Sequence, residues 1–324
     1  MPNRTSQPGP QSPLPALNVA VLMGGRSAEA TVSRNSAAQV AAALEQNGHS
    51  ATLVELDNQC ADRLRQISPD VVFPALHGPP GEDGTVQGFL EILELRYVGS
   101  GVRGCALAMD KHIAKSIFRT AGLPVLDDVV IDADTVEQAQ DIILRKVGQS
   151  VVIKPLNQGS AIGVQLLPNG GDIQTALRSA LEYGACLVEP YLIGREITVG
   201  VLQKGADLVP HPVIEIRTAP DEWYDYHNRY AAGASEHIIP AELPQATLTS
   251  LQEMALRAHQ SLGLRDLSRA DFLVTDNNEI VLLEVNALPG MTSTSLYPDG
   301  ARHLGLEFNQ LIEFLCRQAA ARSD

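Results

Sequence analysis

The most restrictive feature of the chain is a pair of strand-like segments near its C-terminal end that alternate charged and apolar residues: Arg269-Ala-Asp271-Phe-Leu-Val-Thr-Asp276 and Glu279-Ile-Val-Leu-Leu-Glu284-Val-Asn286, joined by Asn277-Asn278. Read as a two-residue hairpin loop, Asn277-Asn278 sets residue 276 against 279, Asp271 against Glu284 and Arg269 against Asn286. All four then share one face. The other face carries Phe272, Val274, Val281, Leu283 and Val285, a set suited to a core. Two opposed carboxylates in an apolar sheet repel unless one is neutral or a cation lies between them. Mg²⁺ takes oxygen ligands and needs few from protein, so Asp271, Glu284 and the Asn286 amide would suit it. The alternative is a solvated face with ordinary surface carboxylates.

A chain of 324 residues is long enough for two or three domains. No apolar run is long enough to span a bilayer, so no membrane partner is expected. The formal net charge of −14 disfavours nucleic acid, whose phosphates are bound by Lys and Arg. Cys60, Cys105, Cys186 and Cys316 lie far apart with no Cys-x-x-Cys pair, which argues against disulfides and zinc and for a reduced, cytoplasmic compartment. Residues 1–16 are rich in Pro, Gln and Ser and read as a disordered tail.

Strand-like runs at Leu17 to Leu22, Ala51 to Leu56 and Val71 to Ala75 alternate with helical stretches, the first from about Ala28 to Gln46. This predicts an N-terminal doubly wound α/β domain over 17–109. Residues 110–193 read as a central α+β domain, with a helix from Lys111 and strands at Val151 to Lys154 and Cys186 to Glu189. Residues 194–324 read as a C-terminal α+β domain, with strands at Ile197 to Leu202 and Leu208 to Glu215, a helix over Leu248 to Leu262 and a last helix from about Leu306. Its long, polar, tyrosine-rich segment 219–238 predicts a lid.

Two glycine-bearing turns add candidates. Val151-Val-Ile-Lys154 runs into Gly159-Ser160-Ala-Ile-Gly163, whose backbone N–H groups could cradle phosphates, although a Gly-Ser loop is also an ordinary turn. The order of a P-loop is absent. Gly24-Gly25-Arg-Ser-Ala-Glu29 lacks the dinucleotide fingerprint. Glu29 could take a substrate ammonium group, or simply complement the helix dipole.

Taken in order, Gly24-Gly25-x-Ser27-x-Glu29, His77-Gly-Pro-Pro-Gly-Glu82-Asp-Gly84, Met109-Asp110-Lys111, Lys154-Pro155 through Gly159-Ser160, Glu189-Pro-Tyr-Leu192, Arg269-x-Asp271 and Leu283-Glu284-Val-Asn286-Ala-Leu-Pro-Gly290-Met-Thr292 resemble the ATP-grasp superfamily and, within it, the D-alanine:D-alanine ligases. The resemblance covers about Leu17 to Phe314. It implies an ATP-grasp architecture with the nucleotide held between the last two domains, and a cytoplasmic homodimer that makes D-alanyl-D-alanine for peptidoglycan through a D-alanyl phosphate. It also implies roles. Lys111 and Lys154 would contact the phosphates, Glu189 and Leu192 the adenine and Glu196 the ribose, with Trp223 and Arg229 near the nucleotide. Asp271, Glu284 and Asn286 would hold two Mg²⁺ or Mn²⁺ ions. Glu29 and His77 would receive the first D-alanine, Ser295 and Leu296 the second, and Arg269 with the Gly290 N–H would form the oxyanion hole. Ser160 and Tyr230 would link Glu29 to the lid.

The residue types suit that chemistry. Carboxylate attack on a γ-phosphate brings two anions together and needs cations and positioning. Amine attack on the acyl phosphate then builds an oxyanion, for which a guanidinium and an N–H are suitable donors. Two departures stand out: Arg229 replaces the family's usual lysine before Tyr230, and Glu29-Ala-Thr-Val-Ser33 lacks the charged residues common after that glutamate. The competing readings are a depsipeptide ligase joining D-alanine to D-lactate, and an ATP-binding regulatory protein on a dead ligase fold.

Overall fold

A computed structural model describes residues 15–219 and 233–322. The expectations for Trp223, Arg229 and Tyr230, for most of the lid and for all but the end of the tail fall outside the described residues.

Three sheets organise the chain. In the first, β1 (Asn18–Met23), β2 (Ser50–Glu55) and β3 (Val71–Pro74) pair parallel in the order β2-β1-β3, with α1 (Ala30–Gln46) and α2 (Cys60–Ile67) as crossovers. Alternation along β1 decides which helices cover which face. Val19 and Val21 enter one core with α1, and Ala20 and Leu22 enter another with α2 and α3 (Thr85–Ile92). A sheet apolar on both faces has to be covered on both, as parallel sheets generally are.

The second sheet has four antiparallel strands in the order β4-β7-β5-β6, from β4 (Val129–Ile131), β5 (Val151–Pro155), β6 (Gln165–Leu167) and β7 (Cys186–Pro190). It packs on α6 (Ala139–Lys146) and α7 (Ile173–Leu181).

The largest sheet follows the path β11-β10-β8-β12-β13, with β9 paired to β8. Its strands are β8 (Arg195–Lys204), β9 (Asp207–Pro210), β10 (Ile214–Thr218), β11 (Ser235–Ile238), β12 (Leu267–Val274) and β13 (Ile280–Asn286). Behind it lie α4 (Val102–Met109), α5 (Lys111–Thr120) and α8 (Gln245–Ser261). Packing therefore crosses the boundary read at residue 110, because Ala114 and Phe118 of α5 share a core with Val199 and Phe272. Finally α9 (Leu296–Arg302) and α10 (Phe308–Ala320) return to the first sheet, where Leu311 and Leu315 join Val19 and Val21.

Two sequence readings change. The strand expected over Leu208 to Glu215 is two strands, β9 and β10, broken at His211-Pro212-Val213. Pro210 and Pro212 each lack the N–H that a continuous ladder would need.

The hairpin between β12 and β13 also differs from the two-residue loop. Thr275 N donates to Glu279 O at 3.0 Å, and Asn278 takes a left-handed φ of 59°, so the loop is 276–278. Phe272 then pairs with Leu282 rather than 283, and a bulge between Asp271 and Phe272 restores Asp271 opposite Glu284 and Arg269 opposite Asn286. The bulge also changes faces. Leu282 joins Phe272, Val274 and Val285 in the core, while Val281 and Leu283, expected there, are only partly buried.

Behind the large sheet, His211 is fully buried, 4.5 Å from the Tyr297 ring, and neither ring nitrogen has a hydrogen-bond partner among the described residues. A Cβ on Gly200 or Gly300 would lie 2.3 or 2.5 Å from its Nδ1, so those glycines form its slot. Burial pushes the imidazole down to about 3. An unfolded imidazole titrates near 6.5, so in the interval between them the unfolded chain binds one more proton, and stability falls as pH falls. We expect His211→Leu to flatten that fall by about 1.4 kcal/mol per pH unit between about pH 6 and pH 4. Urea unfolding across that range reads it, and an unchanged slope would refute it.

Candidate active site

Two adjoining cavities lie where the three sheets meet. The first, of about 380 Å³, opens between the four-stranded and the large sheet and is lined by Lys111, Lys154, Glu189, Leu192, Glu196, Asp271 and Glu284. The second, of about 1070 Å³, lies toward the first sheet and is lined by Glu29, His77, Arg269, Asn286, Gly290, Ser295 and Leu296. Ser160 borders both. Every described candidate from the sequence therefore lines one cavity or the other.

In the first cavity cations and carboxylates interleave. Lys111, at the start of α5, donates to the Gln158 carbonyl at 2.6 Å and lies 3.8 Å from Glu284. Burial lowers its pKa, against the pull of Glu284. Lys154, at the end of β5, pairs with Glu189 on β7. The other Glu189 oxygen is held by Lys115, which is 1% exposed and lies 3.4 Å from Asp128. Burial works against charge on both members of the Lys154–Glu189 pair, yet their attraction outweighs it, raising the lysine and lowering the carboxylate. Leu273 and Leu283 supply apolar wall.

On the large sheet, Asp271 is enclosed by donors. Arg269 grips it twice, Nε to Oδ1 at 2.9 Å and Nη2 to Oδ2 at 2.8 Å. Thr198 donates to Oδ1 at 2.6 Å and Asn286 Nδ2 to Oδ2 at 3.0 Å. A carboxylate has about four lone-pair sites, so a divalent ion reaching Asp271 has to replace one of these donors. Among the described residues no cluster of three or more His, Cys, Asp or Glu forms a ready metal cage. The oxygens of Asp271, Glu284 and the Asn286 amide nonetheless form a hard donor set of the kind Mg²⁺ takes when water and phosphate supply the rest.

In the second cavity Glu29, 2% exposed, occupies the N-cap of α1 and accepts the Ser160 hydroxyl. A Cβ at Gly78 or Gly159 would lie 2.9 or 3.1 Å from its Oε2, so both glycines leave room for the carboxylate. His77 shares a hydrogen bond of 3.2 Å with Ser36, and burial together with Arg269 holds its imidazole down to about 4, neutral at physiological pH. Glu82 accepts from Gly78 N at 2.6 Å; burial and then Glu29 push its carboxyl up to about 8. Ser295 Oγ accepts from Thr292 N at 3.1 Å and lies 3.3 Å from where a Cβ on Gly290 would stand.

Sequence reasoning missed Lys115, Thr198, Leu283 and any role for Glu82. Lys115 was visible in principle, four residues after Lys111 and so on the same helical face. Thr198 was not, because only the β8–β12 pairing sets it opposite Asp271.

Family models described as the D-ala D-ala ligase N-terminus and C-terminus match residues 59–100 and 117–317. The chain is 41% identical over 310 residues to a D-alanine--D-alanine ligase of Methylobacterium radiotolerans, covering 94% of this chain and 98% of that one. Its fold resembles the D-alanine-D-alanine ligase of Coxiella burnetii, with a TM-score of 0.79 and 26% identity over 94% of each chain. It also resembles that of Bacillus anthracis complexed with ATP, with a TM-score of 0.78 and 27% identity over 94% of this chain and 97% of that one.

Proposed function

Because the chain belongs to the D-alanine–D-alanine ligase family, whose ATP-grasp fold it has, we propose that it joins two D-alanines, driven by ATP, through a D-alanyl phosphate. The product would serve peptidoglycan precursor synthesis in the cytoplasm. The observation that carries this reading is that Ser160 borders both cavities, a nucleotide-sized cleft with two lysines beside a cleft lined by a carboxylate and an arginine.

The residues divide the work by position. Lys111 and Lys154 hold the phosphates, and Lys115 keeps Glu189 from taking Lys154 fully, since each Glu189 oxygen faces a different lysine. Glu196, Leu192 and the apolar wall receive the nucleoside. Asp271, Glu284 and Asn286 would hold a divalent ion, or a pair of them, which would supply positive charge against the phosphates. Glu29 binds the ammonium of the first D-alanine, and neutral His77 lies beside it without repelling that cation. Arg269 and the Gly290 N–H would donate to the carbonyl oxygen on which charge develops, where preorganised donors contribute most. Ser295 and Leu296 receive the second amino acid.

The test is ADP release with D-alanine, L-alanine, or D-alanine plus D-lactate. Release with D-alanine and a dipeptide product are expected. Release only with L-alanine, or a predominant ester with D-lactate, would overturn the assignment in favour of another carboxylate ligase.

A further inference from the structure

A histidine–aspartate pair stands on the wall of the second cavity, away from the nucleotide. His237 on β11 and Asp299 on α9 both line that cavity and not the first. His237 Nδ1 lies 2.6 Å from Asp299 Oδ2. Asp299 follows Ser295 by one helical turn, with Asp299 N donating to Ser295 O at 3.0 Å, so the pair flanks the end of the cavity assigned to the second amino acid. Arg302 fixes Asp299 from the other side, Nη1 to Oδ1 at 2.6 Å, and donates to Ser293 O at 3.0 Å.

The chemistry of the partners decides the tautomer. An ionised carboxylate only accepts, so Nδ1 carries a proton toward Asp299, and in the neutral imidazole Nε2 is the nitrogen with the lone pair. Burial alone would raise the Asp299 carboxyl, but the hydrogen bonds from His237 and Arg302 outweigh it and hold it below the ordinary carboxylate range. His237 lines the second cavity and its side chain is 17% exposed.

We propose that His237 is the base that deprotonates the second amino acid, with Asp299 as its positioning residue. The inference rests on the ligase reading above. The acceptor arrives as an ammonium ion and cannot attack until one proton leaves. His237 Nε2 takes that proton, and the amine nitrogen bonds to the acyl carbon. The C–O bond to phosphate then breaks. The second nitrogen proton departs with the phosphate as hydrogen phosphate, and His237 returns its proton to solvent. A base oriented by a carboxylate through its other nitrogen is the arrangement general-base catalysis requires.

The experiment compares acceptors. In His237→Gln, dipeptide formation at saturating D-alanine should fall by about 10²- to 10⁴-fold, the usual worth of a positioned base. Acyl phosphate formation, read as positional isotope exchange in bridge-labelled ATP with D-alanine, should be unchanged. Hydroxylamine is largely unprotonated at neutral pH and needs no base. Hydroxamate formation by His237→Gln should therefore match wild type, and Asp299→Asn should show the same rescue. A hydroxamate rate that falls as far as the dipeptide rate would overturn the proposal. So would a rise in acceptor KM with kcat intact, which would make His237 a carboxylate-binding group. Wild-type protein without isotope exchange would instead remove the ligase reading itself.

Discussion

Replacing Glu284 by glutamine is expected to lower turnover by on the order of a thousandfold, at the upper end of what one preorganised electrostatic group contributes. The glutamate stands on β13 opposite Asp271 and 3.8 Å from the Lys111 ammonium, and the paired grip of Arg269 falls on Asp271. Glutamine keeps the shape and one oxygen but removes the charge that a divalent ion and Lys111 both need. Its side chain is 31% exposed and outside the apolar cores, so the melting temperature should stay near wild type. Coupled ADP release and a thermal melt on the same preparation make the comparison. Turnover within about threefold of wild type would remove Glu284 from the proposed metal site, since an effect that small is well below the range for such a group.

Arg269→Lys is expected to cost about 10²- to 10³-fold in kcat with a much smaller change in the KM for ATP. The charge is retained, yet the planar fork is lost, and it is the fork that holds both Asp271 oxygens, at 2.9 and 2.8 Å. A lysine can satisfy one oxygen at a time, which frees Asp271 to turn and withdraws a fixed donor from the developing oxyanion. Steady-state kinetics with each substrate varied separate the two effects. A lysine variant with wild-type kcat would mean that charge alone suffices and that the oxyanion role lies elsewhere.

Arg269, Asp271, Glu284 and Asn286 were identifiable in the sequence by type and order, but their cross-strand pairing was reached through a loop that the protein does not have. Asp271 opposite Glu284 follows from a two-residue loop; the actual three-residue loop shifts the register by one, and the bulge shifts it back on the site side only. Near the turn the shift persists, which is why Val281 and Leu283 were assigned to the wrong face. Side-chain periodicity in a strand is two, so a single extra residue exchanges the faces of everything beyond it. Nothing in Ile280-Val-Leu-Leu announces a bulge, because every residue there is apolar. The strand break after Pro210 was more legible, since the missing N–H groups are written in the sequence.

By itself the sequence determined the elements of the first sheet, through apolar runs at strand spacing and an alanine-rich helix between them. It determined the hard-oxygen character of the β12–β13 face, through carboxylates placed among apolar neighbours. It also carried the motif order that gives the family. Each of these depends on local covalent spacing, which a linear chain records. The tertiary structure alone decided that Ser160 borders two cavities, that Lys115 shares Glu189 with Lys154, that Thr198 and Asn286 complete the enclosure of Asp271, and that His237 meets Asp299. Those pairs are separated by 131 residues for Ser160 and Glu29, 74 for Lys115 and Glu189, and 62 for His237 and Asp299. Contacts at such separations arise from sheet pairing and core packing, and no periodicity in a chain encodes which distant polar side chains a fold brings to hydrogen-bonding distance.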